Sequence, residues 1–233
     1  MKIIAHRSGP SVYPEQTVAS AKYALKYDIQ AVELDTRFTK DGAIVVSHDS
    51  NALRVYGVDK PVADMTVSEF LSLRHKDNPG YSAHRFSDYL ENNIFPLLVH
   101  VKEGEEKIYP LLEEIHRYNY DDKVILGITI AKDIKRIREF NPDIRILGFI
   151  PGITSIDDFA DADYIRLWEK WLSDDSIAAV HKTGKKLWVM AGNFNGIEGG
   201  YTDFNNFEKW EEMGIDGVLI NEVDSYFQWK NNN

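Results

Sequence analysis

The feature that most constrains the fold is a regular alternation of short strand-like runs and helical segments along the chain. Eight runs rich in aliphatic and β-branched residues qualify as strands: KIIA, QAVELD, LLVHV, KVILGI, IRILGFI, YIRLW, KLWVM and GVLI. The segments between them carry apolar residues at helical spacing, as in TVASAKYALKY, where Val18, Ala21 and Leu25 share one face. This alternation is typical of βα units around a parallel sheet.

Eight such units in 233 residues predict a (β/α)8 TIM barrel formed by a single domain, residues 1–233. An open, doubly wound sheet is the alternative, but AHRSGPS after the first strand lacks the glycine-rich phosphate turn of that fold. After the second strand, KDG and AIVVSH predict the turn and return strand of a hairpin. Residues from about 50 to 85 then form a small insertion, and the polar tail 231–233 is expected to be disordered.

Composition narrows the class of partner. A formal net charge of −10 argues against nucleic acid, since binding to phosphate backbones needs a surplus of basic residues. The chain has no cysteine, which excludes disulfides and thiolate metal sites. The start MKIIAHRSG contains too few apolar residues for a signal peptide, and no run of eighteen apolar residues occurs. We therefore expect a cytoplasmic protein without a membrane span. The oligomeric state stays open.

Chemically active side chains cluster at the ends of the first two predicted strands, where the mouth of a barrel carries its active site. His6 and Arg7 follow the first strand, and Glu15 comes soon after them, where it could simply cap the next helix. Glu33 and Asp35 lie two residues apart in the second strand, so both point to the same face. Two buried carboxylates are costly unless a cation neutralises them, and their oxygens suit Mg²⁺, Ca²⁺ or Mn²⁺.

The third strand and the hairpin add further candidates. His100 and Lys102 repeat the two-residue spacing at the end of LLVHV, which predicts a third metal ligand next to a cation for an anionic substrate. His48 ends the hairpin and is positioned to fold back over the mouth. The carboxylate pair could instead form a structural ion cluster with Arg37 or Lys40. The prediction of a functional site therefore depends on the carboxylates, the histidines and the basic residues together rather than on any one of them.

Two imidazoles beside a metal ion and basic side chains can cleave a phosphodiester. One imidazole removes a proton and the other donates one to the leaving alkoxide, while the cations stabilise the phosphoryl oxygens. Arg166 and Trp168 share one face of the sixth strand; Trp168 could stack on the alcohol or sugar part of a substrate, or simply pack in the barrel. The long Gly/Asn-rich loop after the seventh strand is a candidate for substrate specificity.

These motifs resemble the signature of the glycerophosphodiester phosphodiesterase family. AHRSG…YPEQT…VELDTRFTKDGAIVVSHDS is similar to the family's HRG, PENT, E-x-D, TKDG and HD motifs, and VADMTVSEF to their continuation. The match is dense over residues 3–70 and rests beyond that on HVK, ADYIRLW and GIDGVLINE.

The resemblance implies a barrel with an insertion after the second strand and metal-dependent hydrolysis of a small-molecule glycerophosphodiester to an alcohol and glycerol 3-phosphate, a reaction of lipid and glycerol metabolism. It assigns roles by position: acid/base catalysis to His6 and His48, phosphate binding to Arg7, metal binding to Glu33 and Asp35, and a phosphate or metal-shell role to Lys102.

Three departures from the family pattern matter. His100 stands where the third strand usually carries glutamate, and neutral imidazole removes a negative charge. Mg²⁺ or Ca²⁺ is the first expectation, but Mn²⁺, Zn²⁺ or Fe²⁺ becomes more competitive. Gln16 replaces the asparagine of PENT, and Ser8 replaces the glycine of HRG, where Gly9 is expected to supply the flexibility.

Two other functions remain open from the sequence. A sphingomyelinase D-like phosphodiester lyase shares the two-histidine barrel and yields cyclic phosphates, but those toxins are secreted and disulfide-bonded, whereas this chain has no cysteine. A catalytically inactive barrel that binds a phosphorylated metabolite would tolerate the loss of a third carboxylate. Retention of His6, His48 and Arg7 argues against it.

Overall fold

The computed structural model describes residues 1–232. Its strands are β1 (Lys2–Ala5), β2 (Ala31–Phe38), β3 (Ile44–Val46), β4 (Arg74–His75), β5 (Asn78–Ser82), β6 (Leu97–Val101), β7 (Val124–Ile128), β8 (Arg145–Gly148), β9 (Tyr164–Trp168), β10 (Lys186–Met190) and β11 (Gly217–Ile220). Its α-helices are α1 (Val18–Ala24), α2 (Leu53–Tyr56), α3 (Val67–Ser72), α4 (Phe86–Glu91), α5 (Ile108–Arg117), α6 (Lys132–Phe140), α7 (Asp174–Lys182), α8 (Asn206–Glu212) and α9 (Val223–Asn232).

Eight parallel strands close into a barrel, which confirms the predicted (β/α)8 fold. Their order around the barrel is β1, β2, β6, β7, β8, β9, β10 and β11, and β11 pairs with β1 to complete the ring. Because all eight run in one direction, their carboxyl ends meet at one rim. In the β2–β6 register Asp35 lies directly opposite His100, as expected for neighbouring strands.

The β2–β3 hairpin is present as predicted, with antiparallel pairing of Thr36 with Val46. The chain then leaves the barrel to form α2, α3 and the β4–β5 ribbon before α4 returns to it. This insertion has its own small apolar core, in which Phe70 is fully buried and its ring lies edge-on to Tyr56 at 5.8 Å.

Apolar side chains fill the barrel below the rim. A large core lies between the strands and the surrounding helices, and a smaller cluster that includes Ile4, Leu98 and Trp188 occupies the interior. Gly217 makes room for Trp188, since a Cβ there would lie 2.9 Å from the indole. The interior is therefore a packed apolar floor beneath the polar rim.

Two segments differ from expectation. Between β8 and β9 the connection is a 3₁₀-helix, Ile153–Phe159, rather than an α-helix; its sequence ITSIDDF is short and rich in β-branched and small polar residues that disfavour longer α-helices. In the tail, Asn231 and Asn232 continue α9, because Val223 and Tyr226 anchor that helix by burial. Asn233 lies outside the described residues.

Candidate active site

The first strand ends in a turn with unusual backbone geometry. Arg7, Ser8 and Gly9 have consecutive φ values of +48°, +69° and +70°. Gly9 adopts this conformation freely, and Ser8 adopts it as well although it carries a side chain. The Ser8 hydroxyl shares a buried hydrogen bond of 3.1 Å with the Tyr89 hydroxyl, a contact that glycine could not make.

His6 is held in a defined orientation by Asn221, at the end of β11. The Asn221 amide donates from Nδ2 to Gly199 O at 3.1 Å, which leaves Oδ1 to accept from His6 Nδ1 at 2.7 Å. His6 Nε2 is therefore the unprotonated nitrogen. Burial, together with the positive charge of Arg7, lowers the pKa of His6 to about 3. Sequence reasoning missed Asn221, although it follows the strand GVLI just as His6 follows KIIA.

Glu33, Asp35 and His100 form a compact cluster. One potential ligand atom from each lies within 4.8 Å of the other two. His100 Nδ1 is 2.8 Å from Asp35 Oδ1 and 3.9 Å from Glu33 Oε1, and Lys102 Nζ forms an ion pair with Asp35 Oδ1 at 2.9 Å. Gln16 donates from Nε2 to the other Asp35 oxygen at 2.5 Å. The cluster thus brings together the predicted metal ligands and Lys102.

The pKa values of the two buried acids shift in opposite directions. Burial and the neighbouring charge of Asp35 raise the pKa of Glu33 to about 8. Burial also acts to raise the pKa of Asp35, but Lys102 and His100 outweigh it and hold that pKa well below its usual range. Burial, with Lys102, lowers the pKa of His100 to about 4, so its imidazole is neutral and able to ligate a metal. A divalent cation would neutralise both carboxylates, and the donor set fits one.

Arg37 does not pair with Glu33 or Asp35. The structural ion cluster that the sequence left open therefore does not form with Arg37. Its Nε and Nη2 instead donate to the His48 carbonyl at 3.2 and 2.9 Å. His48 Nδ1 in turn lies 2.7 Å from Asp49 Oδ1. Burial lowers the pKa of His48, against the opposing effect of Asp35. The hairpin thus fixes both the backbone and the ring of His48.

Glu15 is not a helix cap, which excludes the alternative that the sequence had left open for it. The Thr17 hydroxyl caps α1 by accepting from Ser20 N, whereas Glu15 pairs with Arg7 Nη1 at 3.0 Å and with Arg54 Nη2 at 2.5 Å. Through Glu15, the insertion is connected to the turn after β1. The Arg7 main-chain N–H also donates to the carboxylate of Glu33 at 2.6 Å, so this turn contacts the acidic cluster directly.

A single cavity of about 130 Å³ at the mouth gathers these groups. Its lining consists of His6, Glu33, Asp35, His48, His100, Lys102, Phe149, Arg166, Trp168, Met190 and Leu219. All the predicted site residues except Arg7 are in this set; the Arg7 guanidinium lies beside it against Glu15. Phe149, Met190 and Leu219, which sequence reasoning did not single out, form its apolar part.

Trp168 and Phe149 hold the Arg166 guanidinium between them. The guanidinium carbon lies 4.2 Å from the centre of the Trp168 ring and 4.7 Å from that of Phe149. Burial lowers the pKa of Arg166 to about 9, with Glu33 acting in the opposite direction, so the side chain is charged at neutral pH.

Fold and site together define a class of protein: a (β/α)8 barrel whose mouth carries two histidines and an acidic cluster suited to bind a divalent cation. The model of the glycerophosphoryl diester phosphodiesterase family matches residues 6–225. The chain belongs to this family, as its motifs indicated.

Individual relatives agree with this assignment. A glycerophosphodiester phosphodiesterase of Caldanaerobacter subterraneus is 28% identical over 159 residues, which cover 62% of this chain and 64% of the relative. A human lysophospholipase D is 29% identical over 160 residues, 63% of this chain and 51% of the relative. The matched segments thus span between about half and two thirds of these relatives.

Solved structures share the fold. A phosphodiesterase of Oleispira antarctica, in complex with the product sn-glycerol-3-phosphate, superposes with a TM-score of 0.84 at 17% identity, covering 99% of this chain and 97% of that one. A glycerophosphodiester phosphodiesterase of Agrobacterium tumefaciens gives 0.77 at 19% identity, covering 97% and 99%. Within residues 1–232, no helix is long and apolar enough to cross a membrane.

Proposed function

We propose that this protein is a metal-dependent phosphodiesterase that hydrolyses glycerophosphodiesters to an alcohol and glycerol 3-phosphate. The observation that carries the proposal is that two histidines, an acidic cluster and two cationic side chains converge on one cavity at the barrel mouth. The two cationic side chains are Lys102 and Arg166. Family membership and the product bound to the Oleispira antarctica relative support the same reaction.

Glu33, Asp35 and His100 would hold the divalent cation. When bound, such an ion supplies positive charge that stabilises the phosphoryl oxygens of a diester. Two carboxylates suit Mg²⁺ or Ca²⁺, while the imidazole of His100 favours Mn²⁺ or Zn²⁺ relative to an all-oxygen site.

His6 and His48 would divide the proton transfers. The amide oxygen of Asn221 can only accept, so it keeps a proton on His6 Nδ1 and leaves Nε2 as a general base. Asp49 is a carboxylate that favours a protonated imidazole against the effect of burial, so His48 suits the general acid that protonates the leaving alkoxide. The different partners of the two rings thus favour complementary roles.

Lys102 and Arg7 would bind the phosphate. Lys102 lines the cavity beside the acidic cluster, and its ammonium group is fixed by Asp35. Arg7 reaches the mouth from the turn after β1 and is held by Glu15, so its guanidinium is oriented before substrate arrives.

The test is hydrolysis by protein stripped of metal with a chelator and then reloaded separately with Mg²⁺, Ca²⁺, Mn²⁺ and Zn²⁺. Release of glycerol 3-phosphate from a panel of glycerophosphodiesters should require added metal and should be lost in His6→Ala and His48→Ala. His116→Ala, a change at an exposed histidine, is the matched control and should retain activity.

The identity of the products separates this reaction from the alternatives. Phosphorus NMR should show a phosphomonoester; a cyclic phosphate would instead identify a lyase. Failure to turn over any diester with any of the four metals, by protein that still binds glycerol 3-phosphate, would identify an inactive binding barrel.

A further inference from the structure

Arg166 is buried without the partners that a buried guanidinium normally has. Its side chain lies on β9, and the residue is 7% exposed. Among the residues that the structure describes, neither Nε nor Nη1 has a hydrogen-bond partner, and no carboxylate lies within ion-pairing distance. An unsatisfied buried cation is costly to a fold, so its retention here suggests a ligand that completes it.

The guanidinium faces the substrate cavity in a fixed position. Arg166 lines the same cavity as His6, His48 and the acidic cluster. Contact with the rings of Phe149 and Trp168 restricts its movement. A planar guanidinium with free N–H groups is suited to two-point binding of a carboxylate or a phosphate.

The charges around the cavity exceed what one phosphodiester needs. A divalent cation would balance Glu33 and Asp35, and Arg7 is already balanced by Glu15. Lys102 and Arg166 then remain, whereas a phosphodiester carries a single negative charge. The cavity wall therefore has one positive charge to spare.

The arrangement of the aromatic residues in the cavity disfavours a cationic substrate. Exposed faces of tryptophan and phenylalanine attract quaternary ammonium groups. Here one face of Trp168 and one of Phe149 are turned to Arg166, so an ammonium group approaching them would meet a like charge.

We propose that Arg166 is a specificity residue that selects phosphodiesters bearing a second anionic group, a carboxylate or a phosphate, over diesters with a cationic one. This inference rests on the proposed phosphodiesterase activity and names the substrate class of the same site.

The test compares kcat/KM for two matched pairs of diesters with metal-loaded protein. Glycerophosphoserine differs from glycerophosphoethanolamine by one carboxylate, and glycerophosphoglycerol phosphate differs from glycerophosphoglycerol by one phosphate. In at least one pair the more anionic member should be preferred about tenfold or more, which is the contribution of a charge-assisted hydrogen bond. The pair with the larger ratio identifies the source of the second anion.

Variants assign the preference to Arg166. Arg166→Met should bring the ratio within the responsive pair to about threefold or less, and Arg166→Lys should lower it partly, since an ammonium cannot make the two-point contact. Arg145→Met is the matched control. Arg145 is the first residue of β8, at the end of the barrel away from the mouth, and donates to Asp122 O. Its loss should leave both rates unchanged.

Three results would overturn the inference: wild-type protein without a preference in either pair, equal loss of both members in Arg166→Met, or an unchanged ratio in Arg166→Lys. The second result would show that Arg166 binds the phosphate of the diester linkage, which all four substrates share. If Arg166→Met does not fold by circular dichroism, the wild-type ratio and Arg166→Lys still decide the matter. Absence of turnover on all four diesters would instead refute the phosphodiesterase itself.

Discussion

Glu33 and Asp35 lie two residues apart on one strand, yet their pKa values move in opposite directions. The difference arises from Lys102 and His100, which both approach Asp35 more closely than Glu33. With a pKa of about 8, Glu33 binds a proton at neutral pH in the metal-free protein. The site is therefore prepared to exchange that proton for a cation.

We expect metal binding at pH 7 to release a proton from Glu33, and metal affinity to rise with pH up to about 8. The sign follows from the raised pKa: below it the carboxyl is protonated and must lose a proton to ligate. Titration calorimetry in two buffers of different ionisation enthalpy measures the release. Glu33→Gln should weaken binding and abolish the release, and wild-type binding without a proton exchange would contradict the prediction.

Asn221 acts on catalysis through the ring of His6. Asn221→Ala should lower kcat about 10- to 100-fold with little change in KM, because the Nδ1-protonated tautomer is no longer fixed. Steady-state kinetics across pH checks this. Asn231→Ala, at an exposed position in α9, is the control and should behave as wild type. A change in KM alone would show that Asn221 serves substrate binding instead.

At the scale of elements, the β2–β3 hairpin and the insertion hold the second histidine. Arg37 of β2 binds the backbone of His48, and Arg54 of α2 binds both Asp49 and Glu15. These contacts connect the insertion to the turn after β1 and to the end of the hairpin, so its stability should influence catalysis at a distance.

Phe70→Ala should destabilise the protein by about 3–5 kcal/mol, since it opens a cavity in the fully buried core of the insertion. Urea unfolding measures the loss, and activity should fall as the support of His48 loosens. Leu53→Ala removes a side chain that is 52% exposed and should cost less than about 0.5 kcal/mol. Equal effects of the two changes would argue against a packed insertion core.

The loop after β10 fixes Asn221 through close approach at one glycine. Gly200 has φ +96°, and a Cβ there would lie 2.3 Å from Asn221 Oδ1. Gly200→Ala should therefore displace Asn221 and lower kcat at least about tenfold.

Gly184→Ala separates this steric effect from backbone strain, because Gly184 has φ +71° with no atom within 4 Å of its added Cβ. It should cost about 1–2 kcal/mol of stability without loss of kcat. Similar kinetics for the two variants would contradict the role of close approach.

At the scale of the whole molecule, barrel closure brings distant parts of the chain into one site. His6 and Asn221 are hydrogen-bonded although they are 215 residues apart, because β1 and β11 are neighbours in the ring. A cation bound to ligands from β2 and β6 should therefore stabilise the folded barrel as a unit.

Mn²⁺ at about a hundred times its Kd should stabilise the protein by about 2.7 kcal/mol and raise Tm by about 5–10 °C. Differential scanning calorimetry measures the shift. Asp35→Asn should remove it, since the cation loses its ionised ligand. An equal shift in the variant would place the cation elsewhere.

Much of the site could be predicted because it obeys local rules. Two-residue spacing within a strand sufficed to place Glu33 with Asp35 and His100 with Lys102, and strand ends located His6. The contacts of Glu15 and Asn221 could not be predicted, since they involve residues that are far away in sequence or depend on which strands become neighbours.

The sequence by itself determined the alternation of strands and helices, the hairpin after β2 and the residue types at the strand ends, because these depend on side-chain periodicity and turn chemistry. Only the tertiary structure decided which side chains share a partner: that Lys102 pairs with Asp35, that Arg7 turns to Glu15, and that Nε and Nη1 of Arg166 have no hydrogen-bond partner among residues 1–232. The reason is physical, since pairing and burial are properties of distances in space, and closure of the barrel sets those distances.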